Sequence, residues 1–465
     1  MKVHFIAIGG SAMHNLAIAL NAKGYEVTGS DDEIFDPART RLEKLGLLPP
    51  QEGWFPDRIT PDLDAVVLGM HARNDNPELL RAQQLRLKIY SYPEYLYEQS
   101  KNKTRIVIGG SHGKTTITAM ILHALKAVGI DTDYMVGAQL EGFDVMVRLS
   151  EEANYMVIEG DEYLTSPIDP RSKFLLYHPH IAVVSGIAWD HINVFPTFEE
   201  YKETFVKFVN LIVPVGNVSN SPHGTLIYCN EDDNVREVAA KCQVTDVIKR
   251  PYEAPDYHRN EDGTACLTAS NGKTYTMQVF GRHNMLNLMA AWNVCDAIGI
   301  DSDTFFTAMQ SFKGASKRLE LVKSNATSAM YKDFAHAPSK LRATVAAMKE
   351  EYPLRRLVAC MELHTFSSLT DSFLSQYAGT MDQADLPIVY FNPHALELKK
   401  LPPLSKAYVH DAFQNTHIEV FNDSRILVDH LKELFPTANT NLLMMSSGNF
   451  DGIDFKQLSE ELIKE

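Results

Sequence analysis

The sequence predicts an α/β protein of three domains built on mainly parallel sheets, and three observations carry that expectation. At 465 residues the chain is too long for one hydrophobic core. Short apolar runs alternate with turn residues and helix-like segments along its length, the pattern of strands joined by crossover helices. One such run, Ile106-Val-Ile108, breaks into glycines just before Lys114-Thr-Thr116, where a helix should open.

Composition narrows the class. With 45% hydrophobic and 22% charged residues, and no apolar run near the length of a bilayer span, a soluble globular protein without membrane insertion is expected. The start, Met1 to Gly10, runs from a short apolar stretch straight into a glycine turn, so it reads as a first strand and not a signal peptide. The five cysteines, Cys229, Cys242, Cys266, Cys295 and Cys360, form no Cys-x-x-Cys, which argues against a disulfide framework and a structural zinc and favours a reducing cytoplasm. A net charge of -15 argues against a nucleic-acid partner but leaves room for small polyanions met by local cations and Mg²⁺. His178-Pro-His180 reads as a surface turn, not a ligand pair.

Residues 1–102 predict a Rossmann-like domain, with strands at 3–8, 26–29 and 65–69 and a helix at 13–23. Asp31-Asp32 ends the second strand, where a dinucleotide fold places a ribose-binding carboxylate. The first turn, Ala7-Ile-Gly-Gly-Ser-Ala12, lacks the Gly-x-Gly-x-x-Gly spacing, so a nucleotide-sugar fits it as well as a dinucleotide.

Lys101-Asn-Lys103 reads as a linker into a central P-loop-type ATPase domain, 103–314. Gly109, Gly110 and Gly113 let backbone N–H groups turn inward, Lys114 supplies a mobile positive charge, Thr115 offers a hydroxyl to Mg²⁺, and a helix over 115–128 points its positive end at the same anion. Ile108 stands where the usual spacing has a glycine, so the strand-loop-helix context carries the assignment. Strands at 155–159 and 181–185 end in Glu159-Gly-Asp-Glu-Tyr163 and Asp190-His191. Alone, these are an acidic loop and a packing histidine; three such strand ends in one domain favour a shared metal-nucleotide site. Glycine and asparagine at 215–225 and 260–273 predict hairpins or an irregular insert, and a helix over 284–297 closes the domain. On that helix Asn284 and Asn287 share a face, suited to reading a base edge or to capping and packing. A second Rossmann-like domain, 315–465, opens near Arg318, suited to bidentate phosphate contact or to solvent, and carries Asp333, suited to ribose hydroxyls or to turn initiation.

In this order along the chain, Gly9-Gly-Ser-Ala-Met13, Gly110-Ser-His-Gly-Lys-Thr-Thr116, Glu159-Gly-Asp-Glu-Tyr163, Asp190-His191, Gly281-Arg-His-Asn-Met-Leu-Asn287, Lys317-Arg-Leu-Glu320 and Asp333-Phe-Ala-His-Ala-Pro338 resemble the Mur ligase family. The resemblance implies ATP-dependent amide ligation in the bacterial cell wall, with a UDP-sugar domain, an ATPase domain and an amine-substrate domain in that order. Residue by residue, it implies ATP binding by Gly110, Ser111, His112, Gly113, Lys114, Thr115, Thr116, Asn284, Asn287, Arg318, Asp333 and His336, with Lys114, His191 and Arg318 catalytic. One Mg²⁺ would be served by Thr115 and Glu159 and a second by His191, and the UDP moiety by Gly9, Gly10, Ser11, Ala12, Met13 and Asp31.

The stretch Asp169-Pro-Arg-Ser-Lys-Phe174, Glu362 and Ser446-Ser-Gly-Asn-Phe-Asp-Gly-Ile453 resemble the peptidoglycan-recycling branch of the family. That branch implies the tripeptide L-Ala-γ-D-Glu-meso-diaminopimelate as the amine and UDP-N-acetylmuramate as the acceptor. The alternative is the biosynthetic branch, which adds L-alanine. The chain departs from the family pattern at Ala7 and Ala12, which replace first-turn glycines of the alanine-adding type, at Ala337 in place of a second histidine, and at Leu363-His364 in place of a Pro-Arg pair of the recycling type. Two readings of other classes are a non-catalytic nucleotide-sugar sensor and a nicotinamide oxidoreductase; the retained phosphate and metal residues argue against both.

Overall fold

The computed structural model describes the chain except residues 141, 144, 215–222, 261–263, 270–271, 316–318, 436–438 and 465. Its architecture is α/β with three mainly parallel sheets, as the alternation of strands and helices predicts.

The first sheet has four parallel strands in the order Glu26–Ser30, Lys2–Ile6, Ala65–Leu68, Ile89–Ser91. Because Lys2–Ile6 has the next two strands on opposite sides, the chain reverses direction across it and a crevice opens at its carboxyl end. The strand stops earlier than the 3–8 expectation because Ala7 takes φ 68, a left-handed turn. The following helix, Ser11–Ala22, starts earlier than expected, with Gly10 as its N-cap. Helix Tyr92–Ser100 leaves this sheet through a capping box between Ser91 and Glu94.

The second sheet has seven strands in the order Val247–Tyr252, Gly224–Cys229, Ile181–Val184, Thr104–Gly109, Tyr155–Glu159, Thr132–Met135, Val147–Arg148, parallel except for the last. Thr104–Gly109 is buried along its whole length, which is what an apolar strand covered on both faces requires. The 215–225 expectation needs correction. Residues 215–222 lie outside the described part, and Gly224–Cys229 is an inner parallel strand, not a hairpin. The 260–273 expectation falls on a three-stranded antiparallel insert, Tyr257–Arg259, Ala265–Thr268 and Thr274–Met277.

The third sheet runs Glu320–Ser324, Ala329–Asp333, Thr440–Met445, Arg356–Leu363, Leu386–Phe391, Glu419–Phe421, with only the first strand antiparallel. Strand Arg356–Leu363 shows how the two faces are sorted. Leu357, Ala359, Met361 and Leu363 enter one hydrophobic cluster, while Val358 and Cys360 enter another on the opposite face. The first two sheets differ, because a single cluster runs from Val3, Leu16 and Leu96 through Ile106, Ile121 and Phe305. Helix Ser11–Ala22 packs on strand Val147–Arg148, and helix Tyr92–Ser100 on Lys173–Leu176, which closes that shared core.

Candidate active site

The central loop is set by its neighbours. Gly110 has φ +137, and a Cβ there would lie 2.2 Å from Ser185 Oγ, so only glycine fits. The Ser111 amide donates to the Gly186 carbonyl at 2.9 Å, and Ala188 N–H donates to Ser111 Oγ at 2.8 Å, tying the loop to the end of the adjacent strand. Helix Lys114–Ala127 begins from Gly113 with no side-chain cap and no acidic residue in its first turn, leaving its positive end available to an anion.

Lys114 Nζ donates to the Gly110 carbonyl at 2.6 Å and to Glu162 Oε2 at 2.8 Å. Burial works against its charge, but Glu162, Asp161 and Glu159 outweigh burial and hold it above the ordinary lysine value. Glu162 also accepts the Tyr201 hydroxyl at 2.9 Å and has His191 Nε2 at 3.8 Å, so it gathers three functional groups on one buried carboxylate. The site-residue reading of the sequence passed over Glu162; its only signal was the acidic run beginning at Glu159.

Thr115 Oγ1 donates to Glu159 Oε1 at 2.7 Å, and Glu159 Oε2 accepts the Gly137 amide at 2.7 Å. A hydroxyl beside a carboxylate is a hard-oxygen pair that fits Mg²⁺, which takes one or two protein oxygens and fills the rest with water and phosphate. Among the described residues no group of three or more His, Cys, Asp or Glu forms a metal cage. His191 faces the same cavity, with φ 56 and its amide donating to Asp190 Oδ1 at 2.8 Å. Its nitrogen is the softest donor in the set.

Two cavities meet here. The smaller, about 380 Å³, takes in Ser111 to Thr116, Asn284, Asn287 and Asp333. The Asn284 amide donates to the Phe280 carbonyl at 2.8 Å, and Asn287 Oδ1 lies so close to Gly113 that a Cβ there would stand 2.4 Å away. Both asparagines thus support the cavity wall. Asp333 holds the Leu319 and Ala335 amides at 2.7 Å each, so its carboxylate orders the entry to the third sheet, the turn-building alternative. Burial pushes the His112 and His283 imidazoles down to about 4, which keeps these two rings neutral at physiological pH.

The larger cavity, about 940 Å³, joins Gly9, Gly10, Ser11 and Asp31 of the first sheet to Lys114, Glu159, Glu162 and His191. Asp31 Oδ2 accepts the Gly9 amide at 2.7 Å; burial, seconded by the Asp32 carboxylate, pushes its carboxyl up to about 6. Met13 is a correction to the first-turn set, since its side chain is 4% exposed and packs in the core. Ala12 is exposed and outside the cavity lining. His336, expected at ATP, lines the larger cavity and not the smaller one. Arg318 lies outside the described residues. Arg41, His71 and Lys340 line the larger cavity without any motif to announce them.

Residues 2–104 match the catalytic domain of the Mur ligase family, and residues 108–295 match the Mur ligase middle domain. A UDP-N-acetylmuramate–L-alanine ligase of Clostridium kluyveri is 30% identical over 393 residues, spanning 83% of this chain and 82% of the relative. The crystal structure of a UDP-N-acetylmuramate–alanine ligase from Thermotoga maritima superimposes with TM-score 0.67 over 97% of this chain and 96% of that one, at 21% identity. A UDP-N-acetylmuramate:L-alanyl-γ-D-glutamyl-meso-diaminopimelate ligase from Neisseria meningitides superimposes with TM-score 0.58, at 27% identity, over 67% of this chain and 98% of that one.

Proposed function

This chain belongs to the Mur ligase family, and we propose from that premise that it joins an amine to the lactyl carboxylate of UDP-N-acetylmuramate. It is an enzyme that forms C–N bonds with ATP and Mg²⁺. The observation that carries the substrate reading is the meeting of the two cavities at Lys114, Thr115 and Glu159, all of which line both. On this reading the smaller cavity takes ATP, the larger takes the UDP-sugar, and the three sheets divide the work as sugar, nucleotide and amine domains.

A carboxylate is a poor electrophile at neutral pH, so it is first phosphorylated. Its oxygen attacks the γ-phosphorus, the bond to the β,γ-bridging oxygen breaks, and ADP leaves with the electron pair. The amine nitrogen then adds to the acyl carbon, loses a proton, and inorganic phosphate departs with the C–O electron pair. Lys114 holds the γ-phosphate against the approaching anion, and the amides of residues 110–114 orient it in line. Thr115 and Glu159 would hold Mg²⁺, which would supply charge neutralisation to the phosphates.

L-Alanine is the amine that the relatives favour, because the Clostridium kluyveri protein, matched over most of both chains, carries that name. The tripeptide is a second reading with its own support. Asp169–Ser172 forms one arm of a small antiparallel pair, Lys173 after it donates from Nζ to Asp161 Oδ2 at 2.6 Å in the acidic run that contains Glu159 and Glu162, and the Neisseria meningitides structure is named for that substrate.

The test is phosphate release from ATP with Mg²⁺ and UDP-N-acetylmuramate, with L-alanine and the tripeptide offered separately. Turnover with L-alanine alone supports the first reading and turnover with tripeptide alone the second. Silence with both sinks the ligase assignment and favours a binding-only protein. Lys114→Ala is expected to fold normally and lose turnover by roughly a thousandfold or more.

A further inference from the structure

Five residues line both cavities: Lys114, Thr115, Glu159, Phe334 and Lys340. Two of them are cations, and they come from different parts of the fold. Lys114 opens the central helix and is anchored at 2.6 and 2.8 Å to the Gly110 carbonyl and Glu162, so it stays with the nucleotide loop. Lys340 lies in the first turn of helix Pro338–Glu351, two residues beyond the Asp333-to-Pro338 stretch, and reaches the junction from the third sheet's side. Its side chain is 23% exposed, and its Nζ stands 3.9 Å from Asp190 Oδ2, an ion pair across the two domains. That helix turn has no acidic residue, so the ammonium adds to the positive end of the helix dipole instead of offsetting it. A lysine in that position weakens the helix slightly and raises the positive potential at the point where the cavities join.

The reaction brings a carboxylate to a triphosphate at that same point. Lys114 already shares its charge with a buried carboxylate, so a second cation entering from the other side lowers the repulsion at the moment of transfer. We propose that Lys340 is a second phosphate-binding cation, carried by the C-terminal domain to the transferring phosphoryl group and to the acyl phosphate it forms. This rests on the ligase reading above and adds the residue by which the C-terminal domain reaches the reacting phosphate.

The test uses the full-length protein and the variants Lys340→Met, Lys340→Gln and Lys340→Arg, each checked for an unchanged melting midpoint. Two readouts are taken: phosphate release with the active amine, and retention of ADP with Mg²⁺ and aluminium fluoride, a planar phosphoryl mimic that needs no amine. Lys340→Met and Lys340→Gln are expected to lose roughly a hundredfold in turnover and to fail to trap the mimic, while binding ADP alone within about twofold of the parent. Lys340→Arg is expected to recover at least about a tenth of the activity, because it keeps the charge. A role confined to packing would instead lower the melting midpoint and ADP affinity together, and would overturn the proposal. So would neutral variants that turn over and trap like the parent, while leaving the ligase reading standing. A parent protein that neither traps the mimic nor releases phosphate would overturn both.

Discussion

Asp31 shows what a single buried carboxylate does to this fold. Its oxygen holds the Gly9 amide at 2.7 Å, yet burial raises its carboxyl from 3.8 to about 6, so the folded state keeps a proton that the unfolded chain has already lost. The sign follows from linkage: this group's contribution is fully present below about pH 4 and is lost as pH rises through about pH 6. Compared with Asp31→Asn, the parent should lose on the order of 2 kcal/mol of relative stability across that window and change little above it. Denaturation of both proteins from pH 4 to pH 8 checks this, and parallel curves would sink it. Residues whose partners are local in sequence were legible here: Lys114, Thr115 and Glu159 follow from a strand end, a glycine turn and the start of a helix. Met13, His336 and Lys340 were not, because the side of a turn or helix that meets a cavity is decided by packing between domains. Glu162 falls between the two, standing in an acidic run whose individual roles depend on which carboxylate Lys114 reaches.

Among elements, the antiparallel insert of the central domain has a mechanical role. Arg259 grips Glu351 through Nε at 2.9 Å and Nη2 at 3.0 Å, and the Tyr257 hydroxyl donates to Glu350 at 2.5 Å, so the insert docks on the end of the helix that bears Lys340. Glu351 is 4% exposed in its side chain and burial raises its carboxyl value, a sign that the guanidinium only partly compensates for its desolvation. Arg259→Ala is expected to cost about 1–3 kcal/mol by stranding that carboxylate, with the loss confined to the C-terminal domain. Hydrogen exchange along helix Pro338–Glu351 reads this directly; unchanged protection there would count against the docking role. The β-branched runs at 106–108 and 181–184 announced their strands, since an inner parallel strand is apolar throughout. Gly224–Cys229 was hidden by the polar, glycine- and asparagine-bearing approach just before it. The early end of the first strand was hidden too, because alanine carries no sequence signal for the left-handed conformation that Ala7 adopts.

At the scale of the molecule, the fold class was legible because strand and helix alternate along the whole chain, and the family resemblance followed from motifs that lie at strand ends and helix starts. The meeting of three sheets at one junction was not, since nothing in a linear sequence states which carboxyl edges face each other. The shared hydrophobic cluster beneath the first two sheets has a consequence for how the protein comes apart. Cooperative melting follows continuous apolar burial, so residues of the first and second sheets should unfold together, while the third, with its own two clusters, melts by itself. Calorimetry of the ligand-free chain should therefore show two endotherms, not three, with a nucleotide analogue moving the one that contains the phosphate loop. A fragment ending near residue 102 would lose the contacts of helices Ser11–Ala22 and Tyr92–Ser100 with the central domain, and is expected to melt below the midpoint that the first sheet has in the full chain.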